Sequence, residues 1–407
     1  MSSLFPKAAL ACASLIAAPA AFAQVTHFQP EAAVRAEQHT NRNLSPDSEN
    51  ELDIAGYRLD LGVNWQYITP TTTARIYPRV RLQRFPDQSD VNRSEQFLDA
   101  RLNHRATERT AVNVVGRFDR RDTFNAELAP AEFDEFDPDT PDDQDIDTGL
   151  IIASNTRTHF SLRPTLRHSL TQRTGLRAYG AYRGNRFSTE TERQQTEFDY
   201  FETGGDWVHQ LDELNEFSAG PYVSRFETRD NTNTTDAVGA NFGWNRRWTQ
   251  LFQTTFSVFG ERSDITLRGA NPGSATSTDF GAQVRGVREL ETGRVRFDIA
   301  RRFHPSASGD KTISNQFRVQ YNHELTERLD LTTAVRAFQR KAQGGGGGND
   351  RDYLRGELSL QWMLSPTLFV AGGYQYTWQD RERLPGTADN HTIWLQLGYR
   401  GLGPQRR

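Results

Sequence analysis

Apolar side chains recur along this chain with a period of two, in one segment after another to its end. Between Tyr57 and Tyr67, the residues Tyr57, Leu59, Leu61, Val63, Trp65 and Tyr67 share one face, and Arg58, Asp60, Gly62, Asn64 and Gln66 share the other. A period of two is the signature of a strand whose faces meet different surroundings. The pattern repeats with Ala74, Ile76, Val80 and Leu82 opposite Arg75, Arg79, Arg81 and Gln83, then near Leu98, Ala100 and Leu102, and near Val112, Val114 and Phe118. Further strands centre near Leu162, Ala178, Gly205, Ala219, Ala240, Phe256, Ala282, Phe297, Val319, Thr333, Leu358, Gly372 and Leu395. One near Val34 brings the count to eighteen; setting aside the two with poorest alternation, near Val34 and Gly205, leaves sixteen. An even number puts both termini of a single-chain bacterial barrel on the periplasmic side.

Composition says what these strands can build. Hydrophobic residues make up 36% of the chain and mean hydropathy is −0.72. A soluble domain of 407 residues would need continuous apolar runs or helical stripes to bury a core, and nothing here reads as a spanning helix. Strands of a transmembrane β-barrel alternate lipid-facing and lumen-facing residues, so their average is polar. The fold expected is therefore all-β, a transmembrane antiparallel barrel.

The connections support this, because tight turns and longer polar segments alternate. The tight ones lie at Thr69–Thr72, Ala106–Arg109, Leu170–Arg173, Asp212–Asn215, Trp248–Gln250, Glu291–Gly293, Leu325–Arg328 and Leu364–Thr367. The longer ones are Pro86–Ser94, Phe124–Asn155, Ser188–Thr196, Arg229–Thr235, Asp264–Thr278, His304–Thr312, Ala342–Arg351 and Asp380–Thr387. Short periplasmic turns with long extracellular loops are the rule for outer-membrane barrels. Trp65, Tyr67, Trp207, Trp244, Trp248, Trp362, Tyr376 and Trp378 cluster toward strand ends, where rings sit at headgroup level. The glycine run Gly344–Gly348 reads as part of an outer loop, since alternation resumes at Leu354, Leu358 and Leu360.

The first 23 residues carry Lys7, an apolar stretch from Ala8 to Ala18 and the small-residue site Ala21-Phe22-Ala23. They read as a cleaved secretory signal, leaving residues 24–407 as a single barrel domain. The only cysteine, Cys12, lies within that signal, in no lipid-acceptor context. Loss of Lys7 takes the formal charge from −4 to −5 and leaves a mature chain with no disulfide.

The faces assigned to the lumen are rich in arginine: Arg58, Arg75, Arg79, Arg81, Arg101, Arg117, Arg163, Arg167, Arg177, Arg183, Arg285, Arg296, Arg318, Arg336 and Arg355. Fewer acids share them, among them Asp60, Asp99, Asp119, Glu261, Asp298 and Glu357. Arginines in a watery lumen favour anions; the plainer reading is that they pair with those acids. From Glu127 to Asp147 the chain carries ten acids and no base. Within that run Asp137, Asp139, Asp142, Asp143, Asp145 and Asp147 offer oxygens to a loosely held divalent cation, but lack the spacing of a helix-loop-helix calcium site. No other cofactor is expected. His104, His168, His209 and His323 fall near periplasmic turns, and His304 and His391 nearer the outer side, without a nucleophile or carboxylate dyad, so no enzyme is expected. Nor is any nucleic-acid motif present.

Certain segments resemble a known group. Phe28-Gln29-Pro30 followed by Asn41-Arg42-Asn43, the stretch Arg301-Arg302-Phe303-His304-Pro305-Ser306-Ala307-Ser308-Gly309, and the closing Asn390-His391-Thr392-Ile393-Trp394-Leu395-Gln396-Leu397-Gly398-Tyr399-Arg400 are similar to outer-membrane β-barrel porins found with exopolysaccharide and exosortase gene clusters. The chain departs from many barrels in extending past Tyr399-Arg400 to Arg407. The resemblance implies an outer-membrane passage for an anionic oligosaccharide or exopolysaccharide, with lipid, lipopolysaccharide and a polysaccharide export complex as partners. The competing expectation is a non-conducting scaffold or adhesion protein that presents the acidic loop 124–148 to the outside.

Overall fold

A computed structural model of the chain describes residues 25–128, 130–132, 156–188, 196–268, 272–306, 311–342, 350–382 and 384–402. The signal segment and Asp137 to Asp147 lie outside these residues. Eighteen strands follow one another: β1 Val25–His39, β2 Ile54–Ile68, β3 Thr72–Arg84, β4 Arg93–Arg105, β5 Thr110–Asp122 and β6 Thr156–Ser169. Next come β7 Thr174–Phe187, β8 Phe198–Gln210, β9 Asn215–Thr228, β10 Asn233–Thr249, β11 Phe252–Leu267 and β12 Gly273–Leu290. The last six are β13 Gly293–Pro305, β14 Lys311–Thr326, β15 Leu329–Ala342, β16 Arg351–Met363, β17 Leu368–Arg381 and β18 Leu384–Arg400. Each pairs antiparallel with its chain neighbours, and β1 closes the ring on β18 from Glu31↔Arg400 to His39↔Thr392. For eighteen strands spaced at the usual interval and tilted, the ring is roughly 35 Å across.

The two faces take the places that alternation requires. Val34, Tyr57, Val223, Val258, Ile299 and Leu395 project outward and are exposed, the environment a bilayer supplies, whereas Asp99, Arg157, Asp298, Arg318 and Arg336 face inward and are buried. The count is eighteen, not sixteen. Strand β8 alternates poorly in sequence because its inward face is Tyr200, Glu202, Gly204 and Asp206, with an aromatic and a glycine interrupting the charges. Gly204 lies under the Tyr179 ring of β7, and a Cβ there would come within 2.5 Å of it. Tyr222 covers Gly239 in the same way, Phe259 covers Gly281 and Trp394 covers Gly373. Rings laid flat over a neighbouring strand's glycine line the inner wall without projecting into it.

Several expected loops are shorter than their polarity suggests. Strands β11 and β12 extend to Leu267 and from Gly273, and β17 and β18 leave only residues 382–383 between them. These hairpins continue beyond the membrane, where Asp264↔Thr276 and Asp380↔Thr387 pair with no apolar face to mark them as strand. Conversely, residues 40–53 between β1 and β2 form a substantial loop that the sequence reading did not single out. Its Leu44 adopts φ 48°, a left-handed conformation uncommon for a side chain of that size, and is buried against Ala388.

One seam is incomplete. β12 pairs with β11 along its whole length to Gly273, but with β13 only from Leu290↔Gly293 to Ala282↔Arg301. Above that point the described ends of β13 and β14 bend toward β11 on the lumen side. Phe303 packs edge-on against Phe259 of β11, centroids 5.5 Å apart, and Lys311 Nζ reaches Glu261 Oε1 at 2.6 Å. Both members of that ion pair are buried.

Candidate functional site

Strand register fixes where the arginines point. Counting across the pairs from the lipid-exposed residues, all fifteen arginines singled out from the sequence fall on the inward face. They divide by what they touch. On β2 to β5, Arg58 and Arg81 both bind Asp60 at 2.7 Å, Arg79 binds Asp99 at 2.7 Å, and Arg117 approaches Asp99 at 3.5 Å. Arg75 donates to Asn64. On β6 to β9, Arg167 lies 3.5 Å from Glu216, Arg177 grips Asp206, and Arg183 sits over the Tyr200 ring. Of these, Arg58, Arg79, Arg81, Arg117, Arg167 and Arg177 lie beside a carboxylate, whereas Arg75 meets an amide and Arg183 an aromatic ring. Arg101, Arg163 and Arg296 share the inward face.

The wall from β12 to β16 is arranged differently. Arg285, Asp298, Arg318, Arg336 and Arg355 face one another directly across five successive strands. Like charges placed opposite on neighbouring strands repel, so three adjacent arginines need acceptors. Asp298 flanks them at one end and Glu357 bonds Arg355 at the other, Gln316 accepts from Arg336 and Gln375 from Arg355, and backbone carbonyls from another part of the chain accept from all three. Arg318 Nε donates to Ala131 O at 2.8 Å, Arg336 Nη1 to Pro130 O at 3.1 Å, and Arg355 Nη1 to Leu128 O at 3.5 Å.

These carbonyls belong to the connection between β5 and β6. After β5 the chain makes a helical turn at Thr123–Glu127 and enters the barrel. Asn125 is held at the near wall, donating to Gln83 at 2.8 Å and Glu95 at 2.7 Å and accepting from Arg42. Leu128 packs on the Leu44–Ala388 contact, and by residue 131 the chain is at β14. The segment thus leaves β5 and is tied to β15, ten strands away round one side of the ring and eight round the other. The described part of the loop expected to face outward therefore crosses the lumen. An acidic composition suggested a solvated loop, but its opening residues Ala126, Leu128 and Ala131 are small or apolar and find burial inside. Asp137, Asp139, Asp142, Asp143, Asp145 and Asp147 lie outside the described residues, as does the glycine run.

The lumen differs along its axis. In the outer half, inward side chains such as Glu95, Arg157, Asn185, Tyr353 and Gln379 are buried. Toward the periplasm, Arg167, Gln253 and Thr255 are exposed and Asn103, Asn113, Asn322 and Gln361 partly so, so the inner wall of the periplasmic half is open to water. Sequence reasoning missed Arg302, Arg340 and Arg351, which face inward on β13, β15 and β16. Parity alone would have found them. It also missed Tyr179, Tyr200 and Tyr222, which with Glu202, Asp206 and Glu261 make the inner wall of β7 to β11 less basic than the rest. Among the described residues no group of three or more His, Cys, Asp or Glu is placed to hold a metal ion.

A closed antiparallel barrel with a lipid-compatible exterior, short turns at one end and long loops at the other is an outer-membrane protein. Its architecture is porin-like. No family model matches the chain and no curated protein does. Among solved structures, OccK2 (OpdF) of Pseudomonas aeruginosa in complex with glucuronate is 8% identical, with a TM-score of 0.46 over 93% of this chain and 98% of that one. The outer membrane protein OpdK of the same organism is 10% identical, with a TM-score of 0.43 over 92% and 98%. Fiu, the ferric-catecholate import receptor of E. coli K12, is 10% identical, with a TM-score of 0.45 over 91% and 81%.

Proposed function

We propose that the protein is a passive outer-membrane conduit for an anionic oligosaccharide or a single exopolysaccharide strand. The observation that carries the reading is the lumen itself: water-accessible in its periplasmic half, then narrowed by a segment tied to a row of arginines. A guanidinium presents a planar fork of donors that suits carboxylate and sulfate groups on a sugar chain. An anion entering this region exchanges its hydration for such donors while Asp298 and Glu357 keep it from binding too firmly, and transport needs binding that is favourable yet reversible. The crossing segment favours a thin, extended passenger over a bulky one. A role beside a polysaccharide export complex follows from this passenger.

The test is planar-bilayer recording. Single-channel steps with anion preference are expected, interrupted by acidic oligosaccharides in a manner that depends on their length. Absence of steps, or firm cation preference, overturns the reading. The burial of inward side chains across the outer half favours one rival, a barrel closed at its outer end that serves as a surface scaffold. That rival predicts no steps even after the crossing segment is released.

A further inference from the structure

Between β12 and β13 the wall of the barrel parts. Pairing between the two stops at Ala282↔Arg301, yet each keeps its other neighbour well beyond that level: β12 follows β11 to Leu267↔Gly273, and β13 follows β14 to Pro305↔Lys311. Depth follows from the outward residues. Below the break stand Val284 on β12 with Phe297 and Ile299 on β13. Beside and above it stand Phe280, which is 72% exposed, then Thr278 and Thr276 on one side, and Arg301 on the other. The break thus opens at the outer edge of the apolar band, where a sheet edge meets water rather than hydrocarbon. Arg301 lies across its foot, donating to Phe280 O at 3.1 Å and to Asn315 at 3.4 Å.

What lies behind the break is polar. Glu261 accepts from Lys311 at 2.6 Å, from Ser263 at 3.1 Å and from Tyr222 at 3.3 Å. Just below, Asp298 accepts from Arg302 at 2.7 Å, Gln283 at 2.9 Å and Arg285 at 3.4 Å. Glu261, Ser263, Asp298, Arg302 and Lys311 are all buried. A buried ion pair stabilises no better than apolar side chains of the same volume, so a plug needed only to close the wall would consist of residues like Phe259 and Phe303. These ions can instead be exchanged for those of an anionic passenger. The row of inward arginines leads to the same place. Arg355, Arg336, Arg318, Asp298 and Arg285 stand in register, and Ala282, the last residue of β12 paired with β13, is three residues above Arg285.

We propose that the break is a side window by which an anionic sugar chain leaves the lumen at the level of the outer headgroups, with Lys311 and Glu261 as its latch. The proposal rests on the conduit reading and gives that passenger its exit. A carboxylate or sulfate at the end of the arginine row takes Arg302 from Asp298 and Lys311 from Glu261, one anion replacing another. Asp298 keeps Gln283 and Arg285, and Glu261 keeps Ser263 and Tyr222, so neither carboxylate is stranded. The ends of β13 and β14 lose their charged tie to β11 and move aside. The straight route is the more crowded one, since Glu95, Arg157, Asn185 and Gln379 are buried across the outer half.

Two measurements test this. In a Cys12→Ser chain, Phe280→Cys on the lip of the break, or Phe242→Cys on β10 as control, is coupled to a polyethylene glycol maleimide before reconstitution; both positions are exposed on the outer wall. In planar-bilayer recording, interruptions by acidic oligosaccharide added on the loop side should be lost with the adduct at position 280 and kept with the adduct at 242. Interruptions that survive at 280, or vanish at both positions, overturn the window. The second measurement needs no current. Ser314→Cys places a thiol behind the break, paired with Arg302 and buried. Its labelling by a sulfonated maleimide should quicken about a hundredfold with Lys311→Met, which leaves Glu261 without its cation, and slow again when Glu261→Gln is added. Ser161→Cys, at another buried inward position on β6, should show neither change. Equal rates at position 314 with and without Lys311 overturn the latch. A parent barrel without steps counts against the conduit, while the labelling rates still decide the latch on their own.

Discussion

Replacing Arg318 and Arg336 together with methionine removes the two shorter anchors of the crossing segment while keeping side-chain length. Both guanidinium groups are buried, so each bond to Ala131 O or Pro130 O falls in the class of charged hydrogen bonds worth roughly 1.5–3 kcal/mol. Losing two shifts the balance between seated and released segment by roughly 3–6 kcal/mol, on the order of a hundredfold to ten-thousandfold. Arg355, Asn125 and Leu128 remain, so part of that shift is absorbed. The barrel should stay folded, because the change also removes two like charges that face each other across β14 and β15. Single-channel recording should show larger conductance with frequent transitions, and weaker anion preference since two lumen charges are gone. Lysine at the same two positions separates these effects: charge stays, but the geometry that reaches the carbonyls does not, so conductance should rise with preference nearly intact. A methionine pair with unchanged conductance and merely reduced selectivity would refute the idea that these arginines hold the segment.

Other perturbations test the packing. Leu44→Ala leaves a gap beside Leu128 and Ala388 and should destabilise that contact by about 2–5 kcal/mol, in the range of buried leucine truncations; a calorimetric midpoint equal to the parent's would contradict it. Gly239→Ala places a Cβ 2.4 Å from the Tyr222 ring, whereas at Gly356 nothing lies within 4 Å, so the first should lower the yield of heat-resistant folded barrel and the second leave it unchanged. Removing Lys311 alone leaves Glu261 buried without its cation, a loss of roughly 3–5 kcal/mol, and Lys311→Met with Glu261→Gln should recover much of it; additive losses in the double-mutant cycle would speak against the pairing. In the periplasmic turn, the Asn215 amide and the Leu214 N–H hold the Asp212 carboxyl below its ordinary range. The stability this contributes is present above the ordinary carboxylate range and lost as pH falls through the lowered value, so Asp212→Asn should flatten the acid limb of a pH titration of turn protection measured by hydrogen exchange.

The fold was legible because both faces of every membrane strand are under constraint. Lipid outside and water inside force Leu59 and Arg58, or Ile76 and Arg75, onto opposite sides, and register then carries that parity around the ring. What could not be read was anything recognised by backbone. The carbonyls of Leu128, Pro130 and Ala131 that seat on the arginine row have no side-chain signature, and the acids around them pointed to water. The end of β13 was hidden for a related reason: parity sends Phe303 outward, but the strand bends inward above Arg301 and its ring meets Phe259. Beyond the membrane, polarity stopped distinguishing strand from loop, as at Asp264 and Thr276.

The incomplete β12–β13 seam has nine residue pairs, as does the closing seam between β1 and β18, against fifteen for β1–β2 and sixteen for β11–β12. Together the two short seams cut the ring into an arc of twelve strands and an arc of six. The ring is thus less a uniform cylinder than two curved staves joined along weak lines. The smaller stave carries Arg318, Arg336 and Arg355, and the crossing segment, rooted on β5 in the larger one, ties the pair together across the middle. The segment that crosses the lumen is therefore also the bridge between the two arcs of the wall.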